Sequence, residues 1–340
     1  MRKSLLITAL IGIILVQLPC RLIADDFRFE YQRVIKTGPE AVLNLEFVHG
    51  DVTILSSEQE KIIIDATKQL SAVNGDEAQM VADHIEIKVE HDGNRVDVTT
   101  NYLRMHNRSQ SFWSKLLGRG GEDSFGDVNW TIQVPHGCKI SIVNSSGAIN
   151  VDNIIGSVAI RGSAIDVKLT NIEGDVAVEC SKGKLELTGI EGSVNVENSS
   201  GTTVGELLFG DVTVRQAQGK VDLKFIEGDI KVKSTSASIS IRQDRGSLDL
   251  STSTGRVDIY TGLDSPRDYY VSTESGDIKL SIPETSSGNL RIESQTGDIK
   301  TEMPIAIKSM TRKQVEGSFG SGGVKINLTS ISGDVTVAQF

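Results

Sequence analysis

From Ile140 to Ile259 the apolar residues keep a nine-residue frame. One series runs Ile140, Ile149, Val158, Val167, Val176, Leu185, Val194, Thr203, Val212, Val221, Ile230, Ile239, Leu248, Val257. A second lies two residues on, from Ile142 and Val151 through Val178, Val196, Gly205 and Val214 to Ile259. Residues two apart share one face of a strand, so both series point inward. Asn150, Lys168, Glu186, Asn195, Asp222 and Lys231, between them, face water. Thr203 and Gly205 form the one weak unit. A helical period does not fit this spacing.

Nine residues hold a strand of about five and a turn of about four. Such a unit cannot bury its face alone, so it must stack. A second frequency shows how. Five residues after the first series, Ile154, Ile172, Ile190, Leu208 and Ile226 alternate with Ser163, Ser181, Ser199, Ala217 and Thr235. The true repeat is therefore 18 residues, with two strands and two unlike corners. The pattern predicts an all-β fold, a flattened parallel β-solenoid with 18-residue coils, each carrying two strands of the nine-residue repeat. Strand i then pairs with strand i+18, about 4.8 Å above it.

The frame slips at "GLDSPRDYY" and resumes less regularly at Ile278, Leu290 and Ile299; Ile326 and Val335 close the chain, and residues 303–323 read as an excursion or edge cover. Upstream, "HGDVTIL" repeats the unit, and "GDEAQMVADHIEI" predicts one short helix, about Asp76 to Ala82. Residues 25–135 are expected to form an N-terminal β section and cap, and residues 136–340 the solenoid. A bare terminal coil would expose unpaired strand edges, so cover at the ends is required.

The first residues change the picture of where the chain works. Arg2 and Lys3 precede a mostly apolar run from Leu5 to Leu18, which Pro19 breaks; Ala24 then precedes Asp25. Residues 1–24 are expected to be a cleaved signal peptide, since the run is short for a membrane span. Their loss removes Arg2, Lys3 and Arg21 and no acid, taking the formal charge from −10 to −13. Such a chain is repelled by nucleic acid and by anionic membrane. Aromatic residues are only 5%, against 33 glycines. That suits narrow layers of Val, Ile and Leu with glycine at the turns.

Candidate chemistry is sparse. Glu173, Glu191 and Glu227 fall in one 18-residue column, with Phe209 in place of a fourth acid. Asp175, Asp211 and Asp229 lie two residues on, interrupted by Ser193. Stacked carboxylates are what calcium wants. Gly-Asp is also ordinary turn chemistry on a solvated edge, and that reading is preferred, with no cofactor and no metal. Cys138 and Cys180 share the parity of inward residues and are expected to be buried free thiols, too far apart in the coil to bridge. The five histidines show no metal-ligand spacing, and no nucleophile motif, Walker or Rossmann pattern occurs. The chain is therefore not expected to be an enzyme. Residues 104–121, "RMHNRSQSFWSKLLGRGG", are basic in an acidic chain. Phe112, Trp113, Lys115, Leu116 and Leu117 suit either a cap over the open end of the stack or a contact for a partner, with weak contact to a membrane interface.

Residues 128–151, "VNWTIQVPHGCKISIVNSSGAINV", together with "TESGDIKL", "SQTGDIKT" and "GSGGVKINLTSISGDVTV", resemble the bacterial putative-adhesin family of unknown function, over about 45–340. The resemblance implies a secreted or envelope-associated β-strand-repeat protein without assigned catalytic residues. The expected function is a non-catalytic, extracytoplasmic adhesion or scaffold module that binds a cell-envelope or surface component, protein or glycan, and no nucleic acid. Two alternatives stand beside it: an envelope-stress regulator or sensor acting through 104–121, and a polysaccharide-acting β-helix enzyme.

Overall fold

A computed structural model describes residues 25–72, 74–102, 126–263 and 267–340. Residues 1–24 and 104–121, with the expected signal peptide and the contact residues Phe112, Trp113, Lys115, Leu116 and Leu117, lie outside the described residues.

In chain order the first elements are β1 (Asp25–Lys36), β2 (Val42–His49), β3 (Val52–Ser57), β4 (Lys61–Ala72), α1 (Gly75–His84), β5 (Ile85–Asp92), β6 (Arg95–Tyr102) and β7 (Asp127–Pro135). The repeat follows as β8 (Lys139–Ile154), β9 (Val158–Glu173), β10 (Val176–Glu191), β11 (Val194–Phe209), β12 (Val212–Glu227) and β13 (Ile230–Arg245). The last part holds β14 (Leu248–Thr254), β15 (Val257–Thr261), β16 (Tyr269–Ser275), β17 (Ile278–Ile282), β18 (Gly288–Ser294), β19 (Ile299–Glu302), β20 (Ala306–Met310), β21 (Gln314–Phe319), β22 (Val324–Ser330) and β23 (Val335–Gln339). Nearly everything described is strand, in a long, mostly parallel stack. Among the described residues, no helix is long and apolar enough to cross a membrane.

The 18-residue register is direct: Ile140 pairs with Val158, Val176 with Val194, and Val212 with Ile230, all in parallel. Both inward series are buried along the whole stack. The strands are longer than the turn count predicts. Each coil of β8–β13 is one 16-residue strand, because pairing continues through the Ser-x-Gly corner. Gly183 pairs with Gly201 and Gly201 with Gly219, so the ladder runs through this corner from β10 to β12. The weak unit is repaired locally. Gly205 lacks a side chain where Leu208 and Leu223 close in; their methyl carbons would stand 2.8 and 2.9 Å from a Cβ there.

Chain order and spatial order part company at both ends. β2 and β3 pair in parallel with β8 on one side and with β6 and β7 on the other. The coil of residues 42–57 therefore lies inside the coil of residues 95–135. At the other end, β22 lies between β16 and β18. The closing segment is thus inserted beneath residues 288–302 and is not the terminal coil. Both outer layers turn antiparallel. β4 covers β7, β1 covers β4, and β5 covers β6. At the far end, β21 covers β18 and β20 covers β21. Antiparallel strands can be supplied by short hairpins, whereas another parallel coil would need its own successor. The helix begins one residue before and ends two after the expected Asp76–Ala82. Asn74 caps it by accepting from the Glu77 N–H at 2.9 Å, and Ala78, Val81 and Ala82 are its buried face.

Cys138 and Cys180 are free and buried. Burial pushes their thiols up, Cys138 to about 12 and Cys180 to about 11. The thiolate is the reactive form. A thiol reagent at neutral pH is therefore expected to label neither cysteine in native protein and both after urea unfolding. Rapid native labelling of either one would contradict this packing.

Candidate functional site

Position along each coil decides what a side chain meets. The residue two before each inward pair is the corner glycine, and the next is its outward neighbour. Gly174, Gly192 and Gly210 have φ of +153°, +151° and +147°. The Asp after such a glycine folds over the corner. Asp175 Oδ1 accepts the backbone N–H of Ser193 at 3.0 Å, Asp211 Oδ1 that of Asp229 at 3.2 Å, and Asp229 Oδ1 that of Ser247 at 2.9 Å. Asp277 and Asp334 repeat the contact, to the N–H groups of Asp334 and Asp298. The carboxylate thus satisfies a donor that the ladder leaves open at the break.

The six corner acids do not converge. Glu173 pairs beside Glu191, but Phe209 separates Glu191 from Glu227. The Asp oxygens face backbone donors instead of a common point. Among the described residues, no group of three or more His, Cys, Asp or Glu side chains is placed to hold a metal ion.

The Ser247 N–H, and then the Arg267 guanidinium, hold the Asp229 carboxyl below its ordinary 3.8. A depressed folded value means stability that is fully present above the ordinary pKa and lost as pH falls through the folded one. Asp229→Asn should therefore melt lower than wild type at pH 7. The gap should close as pH drops below 3.8. A gap that stays constant down to pH 2 in thermal melts would rule out the carboxylate as its source.

The Ser-x-Gly corner carries the more binding-competent surface. A groove of about 660 Å³ runs along it across β8–β13. One wall is an outward column of Val143, Arg161, Glu179, Glu197, Arg215 and Lys233; the other is Ser145, Ser163, Ser181, Ser199, Ala217 and Thr235. Within the charged wall, Arg161 meets Glu179 at 3.2 Å and Arg215 meets Glu197 at 2.9 Å. The floor is Asn144, Gly162, Cys180, Asn198, Gln216 and Ser234. Beyond the charged wall lies a flat strip of small residues, Ser141, Ala159 and Ala177, running on to Asn195.

The floor amides were missed by the sequence reading. Asn144 Oδ1 accepts from the Ser146 N–H at 3.2 Å and Asn198 Oδ1 from that of Ser200, also at 3.2 Å. Gln216 Nε2 donates to the carbonyls of Gly201, Gln218 and Lys220 at 3.0–3.1 Å, and its Oε1 accepts from Thr203 Oγ1 at 2.7 Å. These side chains shape the corner that holds the serines out. The signal was present in the sequence: they share the inward parity that placed Cys180, two residues past Val178.

The opposite corner presents another departure. Leu207 and Phe225 sit at φ +57° and +55°, where the earlier coils place Asn153, Asn171 and Gly189. Both side chains are exposed, as is Phe209, and Arg242 covers the Phe225 ring at 5.2 Å. Left-handed backbone disfavours such residues, so this apolar corner is held at a local cost.

The family model described as Toastrack DUF4097 matches residues 41–261 and 261–338. Among solved structures, a "putative adhesin" from Bacteroides fragilis is 13% identical, aligning 92% of this chain with 97% of that one at a TM-score of 0.35. A "putative cell adhesion protein" from Clostridium sporogenes is 12% identical, aligning 92% of this chain with 100% of that one at a TM-score of 0.26. No curated protein matches the chain.

Proposed function

The chain belongs to the Toastrack DUF4097 family, and on that footing we propose that it is a non-catalytic, extracytoplasmic binding module that presents the Ser-x-Gly groove to a cell-envelope component. The groove's construction carries this reading. Its walls are columns repeated coil after coil, a serine column facing a charged one, with rungs about 4.8 Å apart. Active sites gather unlike groups from several elements around one reacting atom. Here like positions are strung along a line. That geometry suits an extended partner that repeats along its own length, held by many weak polar contacts. The acidic charge keeps such a chain in solution and away from anionic membrane.

Ser181→Trp fills the groove while leaving both inward series and the charged column in place. Wild-type protein should sediment with immobilised envelope fractions, and Ser181→Trp should lose most of that capture at an unchanged melting temperature. Equal capture by the two would remove the groove from the reading. Recovery of the native protein in the cytoplasmic fraction would remove the envelope.

A further inference from the structure

The charged wall is complementary to itself. Along the stack it reads Arg161, Glu179, Glu197, Arg215, Lys233 and then Ser251, one residue per coil, in register. We propose that this face pairs with the same face of a second copy, about a two-fold axis that lies parallel to the strands between β11 and β12. This rests on the preceding reading that the face is a binding surface, and it names one partner for it. A rotation about that axis keeps strand direction and reverses coil order. Each column then faces its own counterpart, read backwards. Glu197 meets Arg215 of the second copy, and Arg215 meets its Glu197. Glu179 meets Lys233, and Lys233 meets Glu179. Arg161 faces the neutral Ser251.

Every charge of the four central rungs thus finds its opposite. No other rung alignment of this antiparallel stacking does as well. An axis between Glu179 and Glu197 sets Arg161 against Arg215 and the two acids against each other. At the axis, Glu197 and Arg215 are already paired within one chain at 2.9 Å, so two copies close an alternating square of four charges. All five charged side chains are exposed, so none is withdrawn from reach.

The neighbouring column allows the approach. Ala159 and Ala177 are exposed and small, and they would face Asp249 and Lys231 of the second copy. Asn195 would face Thr213. At the Gly-Asp corner Asp175 would face Asp229, but Arg267 is already paired with the Asp229 carboxylate. The occupant is a second copy because the match is two-fold by construction: one face supplies both halves. Charge complementarity sets register and encounter rate, and its exposed pairs are screened by salt.

Sedimentation equilibrium of the full chain tests it. Wild type should form a dimer that weakens as salt rises. Glu179→Lys places two like-charge contacts in the dimer and should weaken it by about a hundredfold. Lys233→Glu should do the same, and it carries the test alone if Glu179→Lys fails to fold. The double variant restores both contacts with the signs exchanged and should recover a dimer within about threefold of wild type. A wild-type monomer at every concentration overturns the pairing, as does a dimer indifferent to both single variants or a double variant no better than the singles. The outcome separates from that of the groove. Envelope capture by a strictly monomeric wild type sinks the pairing and leaves the module. A register-dependent dimer without capture does the reverse.

Discussion

Gly210→Ala should lower the unfolding free energy by about 3–5 kcal/mol, a large part of the whole stability of a typical domain. Two costs add. The residue sits at φ +147°, a conformation L side chains rarely adopt. A Cβ there would also lie 2.4 Å from the carbonyl oxygen of Gly192 and 2.8 Å from its carbon. Those atoms belong to the backbone of the coil below. Gly192 is itself stacked 2.5 Å from Gly174 by the same measure, so the column cannot relax without shearing several coils. Gly93→Ala is the control. Gly93 has φ +58° in the turn between β5 and β6, and a methyl there would have no neighbour within 4 Å. It should cost only about 1–2 kcal/mol. Urea midpoints of the two variants measure the difference. Because each coil touches only its neighbours, proteolysis of Gly210→Ala should begin near that corner and not at the chain ends. Equal midpoints for the two variants would mean that the corner stack is not the constraint described.

Period and parity made the centre of the molecule legible from sequence. A period of 18 needs no knowledge of contacts, because each residue's partner is simply the residue one coil away. Ile140 over Val158 follows from arithmetic once both strands bury one face. The ends were less legible for the same reason. β22 inserting between β16 and β18 breaks no residue-level rule, since Ile326 suits either neighbour, Tyr269 or Leu290. Only the spatial route of the chain decides it, and periodicity carries no information about route. The corner acids show a different limit. Their 18-residue spacing correctly placed them in columns. Whether Asp175 turns toward a cation or toward the Ser193 N–H depends on where the ladder lets a donor go unpaired, as it does at the Gly-Asp break. The charged wall of the groove follows the outward parity of the repeat. Its self-complementarity emerges only when the rungs are set in space and turned about an axis.

The same distinction between pattern and pairing sets the second large effect. Gln216→Leu is expected to destabilise the protein by about 2–4 kcal/mol, although it places an apolar side chain of similar size in a buried position. Hydropathy alone predicts a gain, because the neighbouring inward residues are Val212 and Val214. The corner geometry predicts a loss. The Gln216 amide serves the carbonyls of Gly201, Gln218 and Lys220, and its oxygen takes the Thr203 hydroxyl hydrogen. Gln216 and Thr203 are both buried, so water cannot replace the amide without opening the corner. Leaving a buried polar group unpaired costs more than a typical hydrogen bond gains. Gln216→Asn separates the amide from the volume. The first and fourth coils of β8–β13 use Asn144 and Asn198 at this position, each bonded to corner backbone, Asn198 also to the Gly183 carbonyl of the coil before it. Asn should therefore recover more than half of the loss in urea unfolding, despite being smaller than Leu. If Leu proves the more stable of the two, the corner is held by volume, and the amide column is incidental to the groove it floors.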